Sequence, residues 1–209
     1  DYFLAEYGED GCCDEGAQYY RHAGLCLFHV LDILNAVTDR AFSSLYREDK
    51  IKNIASYILN VHVDDQYYVN FADCSPVAGR AGVREFLFAE NTGNKDMAAF
   101  AAKDFMAGGI DSLLLPRESN LFYRLENGFC AADIKAYAVW HREEAVCHKD
   151  IYYPSVGLFI ARDERFTLAV KAGDNGDSHN HNDVGSFTVY KNGKPLLIDA
   201  GVESYTKKT

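Results

Sequence analysis

Apolar residues change their spacing near residue 148, and that change decides which folds are open to the chain. Before it, "DEGAQYYRHAGLCLFHVLDILNAV" (14–37) carries Tyr19, Leu25, Leu27, Phe28, Val30, Leu31, Ile33 and Leu34 at helical offsets. So broad an apolar face predicts a helix buried between others. "REDKIKNIASYILNVH" (47–62) opens with acidic residues and repeats Ile51, Ile54, Tyr57 and Ile58, the pattern of a second helix. Further helices are predicted over 82–91, over 95–106 with a stop at Gly108-Gly109, and over 131–145. After "CHKDIYYPS" the segments "VGLFIAR", "FTLAVKA", "GSFTVYK" and "KPLLIDA" are short, β-branched and aromatic, with turn residues between them. Asn192-Gly193 in "YKNGKP" predicts a tight hairpin, because both central positions favour φ > 0. The class is α+β, with helical hairpins over 1–148 and an antiparallel sheet over 149–209, read as two domains. About four strands leave one sheet face with little to cover it, and the chain starts close to a buried helix. It is therefore expected to be a piece of a longer protein.

Composition narrows the function. The chain has 209 residues, 48% of them hydrophobic and 25% charged, which suits one or two packed cores and not a disordered tract. A formal charge of -10 argues against sequence-independent nucleic-acid binding, which needs a Lys/Arg surplus. No apolar run is long enough for a membrane span, and "DYFLAEYGED" lacks the basic start of a secretory signal. The compartment stays open between cytoplasmic and periplasmic or secreted. The six cysteines contain no C-x-x-C pair and are too sparse for a disulfide scaffold, which favours a reducing environment. Adjacent Cys12 and Cys13 read as small buried hydrophobes, with reactive thiols as the alternative.

One stretch concentrates chemistry. "GDNGDSHNHNDVGSF" (173–187) holds two histidines, three aspartates and three asparagines ahead of a strand. His179 and His181, two apart, point the same way in extended backbone and can share a metal with Asp177, Asp183 or Asp199. One imidazole can instead serve as general acid or base. A solvated polar loop is the third reading, and local sequence leaves all three open. Pairing Lys191 with Lys194 puts Asp199 opposite Ser186, five residues from His181, or about 17 Å along a straight strand. A shared metal therefore requires the chain to double back at 183–185. The same register predicts Phe187, Val189, Leu196 and Ile198 as a core-facing set.

"SHNHNDVGSFTVYKNGKPLLIDAGVESYT" resembles the signature of the heparinase II/III-like polysaccharide lyases, an H-x-H-x-D-x-G/N-S-F element followed by a strand, a turn and G-x-P-L-L-x-D-x-G-x-x-x-Y. "DEGAQYYRHAGL" is similar to the x-E-G-x-x-Y opening of a toroid helix in the same family. The resemblance implies a partial (α/α) toroid followed by the start of an antiparallel β-sandwich, with the substrate between them. Family members cleave uronic-acid glycans by β-elimination. The carboxylate at C5 is neutralised, the C5 proton is removed, and the leaving oxygen at C4 is protonated.

Carried onto this chain, the resemblance makes His179 the catalytic histidine, His181 and Asp199 zinc ligands, and Glu15 a cleft acid. A third ligand would fall beyond Thr209, so the zinc site is expected to be incomplete. The catalytic tyrosine falls in "VDDQYYVNFADCSP", as Tyr67 or Tyr68, and the run "YVNFAD" points to Tyr68. At the family's neutralising position this chain has "EDGCCDEG", where a thiol replaces an imidazole or amide. His22 is the substitute considered, and its bland alternative is a histidine satisfied within the helical layer. Two rival readings remain: a glycan-binding module of the same fold without catalysis, and a zinc-dependent hydrolase. Expected partners are a uronic-acid glycan and, as an open question, a second copy in a homodimer; neither nucleic acid nor a bilayer is expected.

Overall fold

The structure is a computed structural model and describes residues 2–174, 176 and 184–201. Among these the order is α1 (Tyr2–Glu6), α2 (Ala17–Tyr20), α3 (Gly24–Val37), a 3-10 turn (Ser43–Arg47), α4 (Asp49–Val61), β1 (His62–Asp64), β2 (Tyr67–Tyr68), α5 (Val83–Thr92), α6 (Lys95–Leu114) and α7 (Leu121–Trp140). Strands β3 (Ile151–Tyr153), β4 (Leu158–Arg162), β5 (Phe166–Lys171), β6 (Ser186–Lys191) and β7 (Lys194–Leu197) follow. The class is α+β, with helices first and an antiparallel sheet after. No helix among the described residues is long and apolar enough to cross a membrane.

The chain divides into two compact units that interleave in sequence. The first comprises Asp1–Cys26, Asp49–Gly79 and His148–Thr209, the second Leu27–Glu48 and Arg80–Cys147.

In the first unit, α4 turns Ile51, Ile54, Tyr57, Ile58 and Val61 to the core, as its spacing requires. Rings of Tyr20, Tyr57 and Tyr153 run through that core with successive centroids 5.7 Å apart, tying α2 to α4 and α4 to β3. Each such pair adds about 0.5–1.5 kcal/mol beyond the area it buries. The loop before α2 lies directly on α4. Gly11 has φ 74, and a Cβ there would stand 2.3 Å from the Ile54 nitrogen. The single helix expected over 14–37 is two pieces, α2 and α3, with Gly24 receiving the Tyr20 ring at the joint; a Cβ on Gly24 would stand 2.3 Å from that ring.

The sheet has five strands in the order β3-β4-β5-β6-β7, one more than expected, because β3 is a three-residue strand in "IYY". Asn192 (φ 49) and Gly193 (φ 75) make the predicted hairpin turn, with Lys191 opposite Lys194. Beyond Tyr190↔Pro195 a bulge moves the register to Val189↔Leu197, and β7 ends at Leu197. Asp199 therefore leaves the ladder instead of facing Ser186. The expected core set is also corrected. Phe187, Leu196 and Ile198 are exposed, whereas Thr188 and Tyr190 are buried. Alternation in β6 separates two faces without saying which one is covered. Tyr153, Leu158, Ile160, Ala169, Thr188 and Tyr190 are buried together, and Tyr152, Phe159, Phe187 and Leu197 look outward.

In the second unit, each helix start has its own cap. Glu85 Oε2 accepts from Gly82 N (2.9 Å), Asn94 Oδ1 from Met97 N (3.0 Å) and Asn120 Oδ1 from Phe122 N (2.9 Å). Gly108-Gly109 does not end α6. The helix runs on to Leu114 with a kink where Gly109 takes φ 57, ψ -128. The last helix starts at Leu121 and ends at Trp140, earlier than the predicted 131–145, because the Asn120 cap sets its start.

Candidate active site

The short β1–β2 hairpin carries Tyr67 and Tyr68, and three hydrogen bonds hold it to the end of the sheet. Tyr190 Oη donates to the Tyr68 carbonyl (2.6 Å) and approaches Asn70 Oδ1 (3.2 Å). Asn70 Nδ2 donates to the Asp199 carbonyl (3.1 Å). Asn70 is 1% exposed, so an amide with both ends engaged is what that position demands. The β6–β7 turn touches the same hairpin. Gly193 packs so closely on Asp64 that a Cβ would come within 2.3 Å of its carboxylate, and Lys194 Nζ lies 5.0 Å from the Tyr67 ring centre. Folding thus brings Tyr67, Tyr68 and Asp199 into one neighbourhood.

The two tyrosines differ in access. Tyr68 is 0% exposed, its ring edge-on to His62 at 5.1 Å, while Tyr67 is half-buried beneath the Lys194 ammonium. Asp199 is half-buried, and its Oδ1 accepts from Gly201 N (2.7 Å). A carboxylate of this kind suits zinc as an oxygen donor. His179, His181, Asp177 and Asp183 lie outside the described residues, and among the described residues no three His, Cys, Asp or Glu side chains come together as a metal group.

Glu15 is half-buried at the turn before α2. Gly16, with φ 90, presses that turn against Cys74; a Cβ on it would stand 2.4 Å from the Cys74 Cβ. Gln18 N donates to Cys74 Sγ (3.4 Å), which ties this turn to the segment following the tyrosines. His22 is exposed, with its ring 6.5 Å from Tyr19. Cys12 and Cys13 are 3% and 2% exposed. Burial pushes the Cys12 thiol well above its ordinary range and Cys13 up to about 12, so both are neutral at physiological pH. Neither can offset a negative charge.

Two contributors were not singled out in the sequence. Asn70 follows the tyrosines directly, and its signal was a polar residue inside an apolar run, "YYVNFA". Lys171 ends β5 and is only 5% exposed, with Nζ donating to the Val156 carbonyl (2.6 Å). Its carbonyl accepts from Gly185 N (2.7 Å), where Gly185 takes φ 88. The residues on either side of the histidine-bearing stretch are thereby pinned to each other.

A search of curated proteins returns no match to this chain. Residues 148–209 match the family model described as heparinase II/III-like, C-terminal, a span that contains β3 to β7 together with His179, His181 and Asp199. By that match residues 148–209 are similar to the C-terminal domain of heparinase II/III-like proteins.

Proposed function

We propose that the protein cleaves a uronic-acid-containing glycan by β-elimination. The observation that carries this reading is the family match over 148–209, which spans the histidine pair and Asp199. The tie between the tyrosine hairpin and the Asp199 backbone supports it. In this reading a base removes the proton at C5, the electron pair moves to form the C4–C5 double bond, and the C4 oxygen leaves with a proton. Half-buried Tyr67 can reach a sugar, so it takes the acid/base role, and buried Tyr68 packs behind it. His179 acts as base or assisting acid. Glu15 and His22 line the glycan path. His181 and Asp199 would hold zinc, which supplies a fixed positive charge when bound, and no proton is routed through it.

The test is absorbance of the unsaturated product in the near ultraviolet with a panel of uronans. Tyr67→Phe and His179→Ala are expected to lower the rate by about a hundredfold or more, while Tyr68→Phe retains most of it. A saturated product, or none from any uronan, would refute the lyase reading. A second reading, a glycan-binding module without catalysis, draws on one observation: the buried neutral pair Cys12 and Cys13 stands where a neutralising side chain belongs. Retained glycan binding without product would favour it.

A further inference from the structure

Helix α7 is apolar on two opposite faces, and its own unit uses one of them. Asn127, Ala131, Ile134 and Ala138 are buried, which accounts for the packing of α7 on α5 and α6. The other side carries Phe122, Leu125, Phe129, Ala132, Ala136 and Val139, every one of them exposed, Phe129 at 81%. Their spacing alternates three and four residues without a break, the pattern by which one helix seats its side chains between those of another. Every position of this seam is uncharged. Glu126, which borders it, turns its carboxylate to His29 Nε2 (2.8 Å). Gly128, beside Phe129, has open space where a Cβ would stand, so a second backbone can come close there.

The order of sizes along the seam says which helix fits it. Lay two copies of α7 antiparallel, with a two-fold axis passing between Cys130 and Ala131. Phe122 then meets Val139 of the second copy, Leu125 meets Ala136, and Phe129 meets Ala132. In each layer the larger side chain faces the smaller one, and the two-fold axis repeats every pair, so the face is complementary to itself. In a parallel pair Phe122 and Phe129 would each face their own copies, and Ala132 and Ala136 would face gaps. The area is sufficient as well. Leu121 (68% exposed) and Trp140 (85% exposed) extend the seam at its ends, and the face offers roughly 600 Å² per copy, or about 1,200 Å² for the pair, the lower bound of stable specific interfaces.

We propose that α7 is a homodimer interface, its exposed seam packing antiparallel on the same seam of a second copy of this chain. The inference is independent of the lyase reading. Analytical ultracentrifugation of the full chain from about 1 to 200 µM is expected to show a monomer–dimer equilibrium with a dissociation constant on the order of 10 µM. Phe129→Glu places a charge in both central layers and is expected to weaken the dimer about a hundredfold. Ala132→Phe sets two rings against each other in those layers and is expected to weaken it about tenfold. Adding Phe129→Ala to Ala132→Phe restores the pairing of large with small, and affinity should return to within about threefold of wild type. Both positions are exposed, so the fold survives these changes, and circular dichroism verifies it. A wild type that stays monomeric across the range overturns the proposal, and so does a dimer that persists in Phe129→Glu. Open-ended assembly in place of a dimer also overturns it, because a two-fold contact closes on itself. A double variant no tighter than Ala132→Phe alone overturns the antiparallel pairing.

Discussion

Acid is expected to loosen the joint between the tyrosine hairpin and the first sheet segment, through His148. His62 Nε2 lies 3.1 Å from the Asp65 carbonyl, an atom that only accepts, so that nitrogen carries the proton and Nδ1 is left as acceptor. His148 Nε2, 3.0 Å from Nδ1, is then the donor. Burial first, then neighbouring His62 and the Arg162 guanidinium, hold the His148 pKa down to about 4, with Asp64 pulling the other way. Arg162 is fixed in place, its guanidinium donating to the carbonyls of Asn60 (2.5 Å) and His62 (3.3 Å). The folded value lies below the unfolded one of about 6.5, so the unfolded chain takes up the proton more readily. The contribution is fully present above about pH 6.5 and is lost as pH falls toward 4. At 1.36 kcal/mol per pH unit the whole difference is roughly 3 kcal/mol, and partial solvent access to the ring reduces it to about 1–2 kcal/mol. Urea unfolding of wild type and His148→Gln at about pH 7.5 and about pH 5 isolates this group from every other titrating residue. Wild type should lose about 1–2 kcal/mol more than the variant over that interval. Parallel pH dependence in the two proteins would refute the reasoning.

In the second unit, Asp104 accepts from Arg80 (2.6 Å) and from Ala81 N (2.7 Å) at 7% exposure. Asp104→Ala, which leaves both donors unmatched, is expected to cost about 3 kcal/mol in urea unfolding, and a loss below about 1 kcal/mol would show that solvent replaces the carboxylate. Burial raises the Asp104 pKa to about 6, above its unfolded value, so its titration favours the fold in acid and that gain fades as pH rises through about 6; Asp104→Asn should flatten this slope. Gly11→Ala combines φ 74 with a Cβ 2.3 Å from the Ile54 nitrogen and is expected to cost about 2 kcal/mol or more, read as a lower melting temperature. An unchanged melting temperature would mean that the 10–13 loop can leave α4 freely.

How much of the fold was legible depended on whether the deciding signal was periodic or local. The helix over 49–61 and strands β4 to β6 follow from spacing alone, because burial repeats with the helical or the two-residue period. Ends were less legible, because the caps that set them were not recognised. Asn120 fixes the start of α7, whereas Gly108-Gly109 looked like a stop and is a kink, since a helix held on both sides of a glycine can bend and continue. Register was harder still. A one-residue register shift between Val189 and Tyr190 carries Asp199 off the ladder, and no pattern in "KPLLIDA" announces it.

The candidate site divides along the same line. The H-x-H pair, Asp199 and the double tyrosine were proposed from sequence because each is a distinctive residue type in a distinctive order. Lys171 could not, since a lysine at a strand end normally reaches solvent. Its place is set by the sign of the sheet face, and alternation does not fix that sign. The Tyr190 hydroxyl does, because its bond to the Tyr68 carbonyl requires the Thr188–Tyr190 side of β6 to be covered. Once that face is inward, the pairing Lys171↔Ser186 puts the lysine on it as well. A Tyr190→Phe change tests this chain of cause: removing the hydroxyl is expected to destabilise the chain by about 1–2 kcal/mol in urea unfolding. A loss below about 0.5 kcal/mol would show that the packed face, without this hydrogen bond, is enough to hold this side of β6 inward.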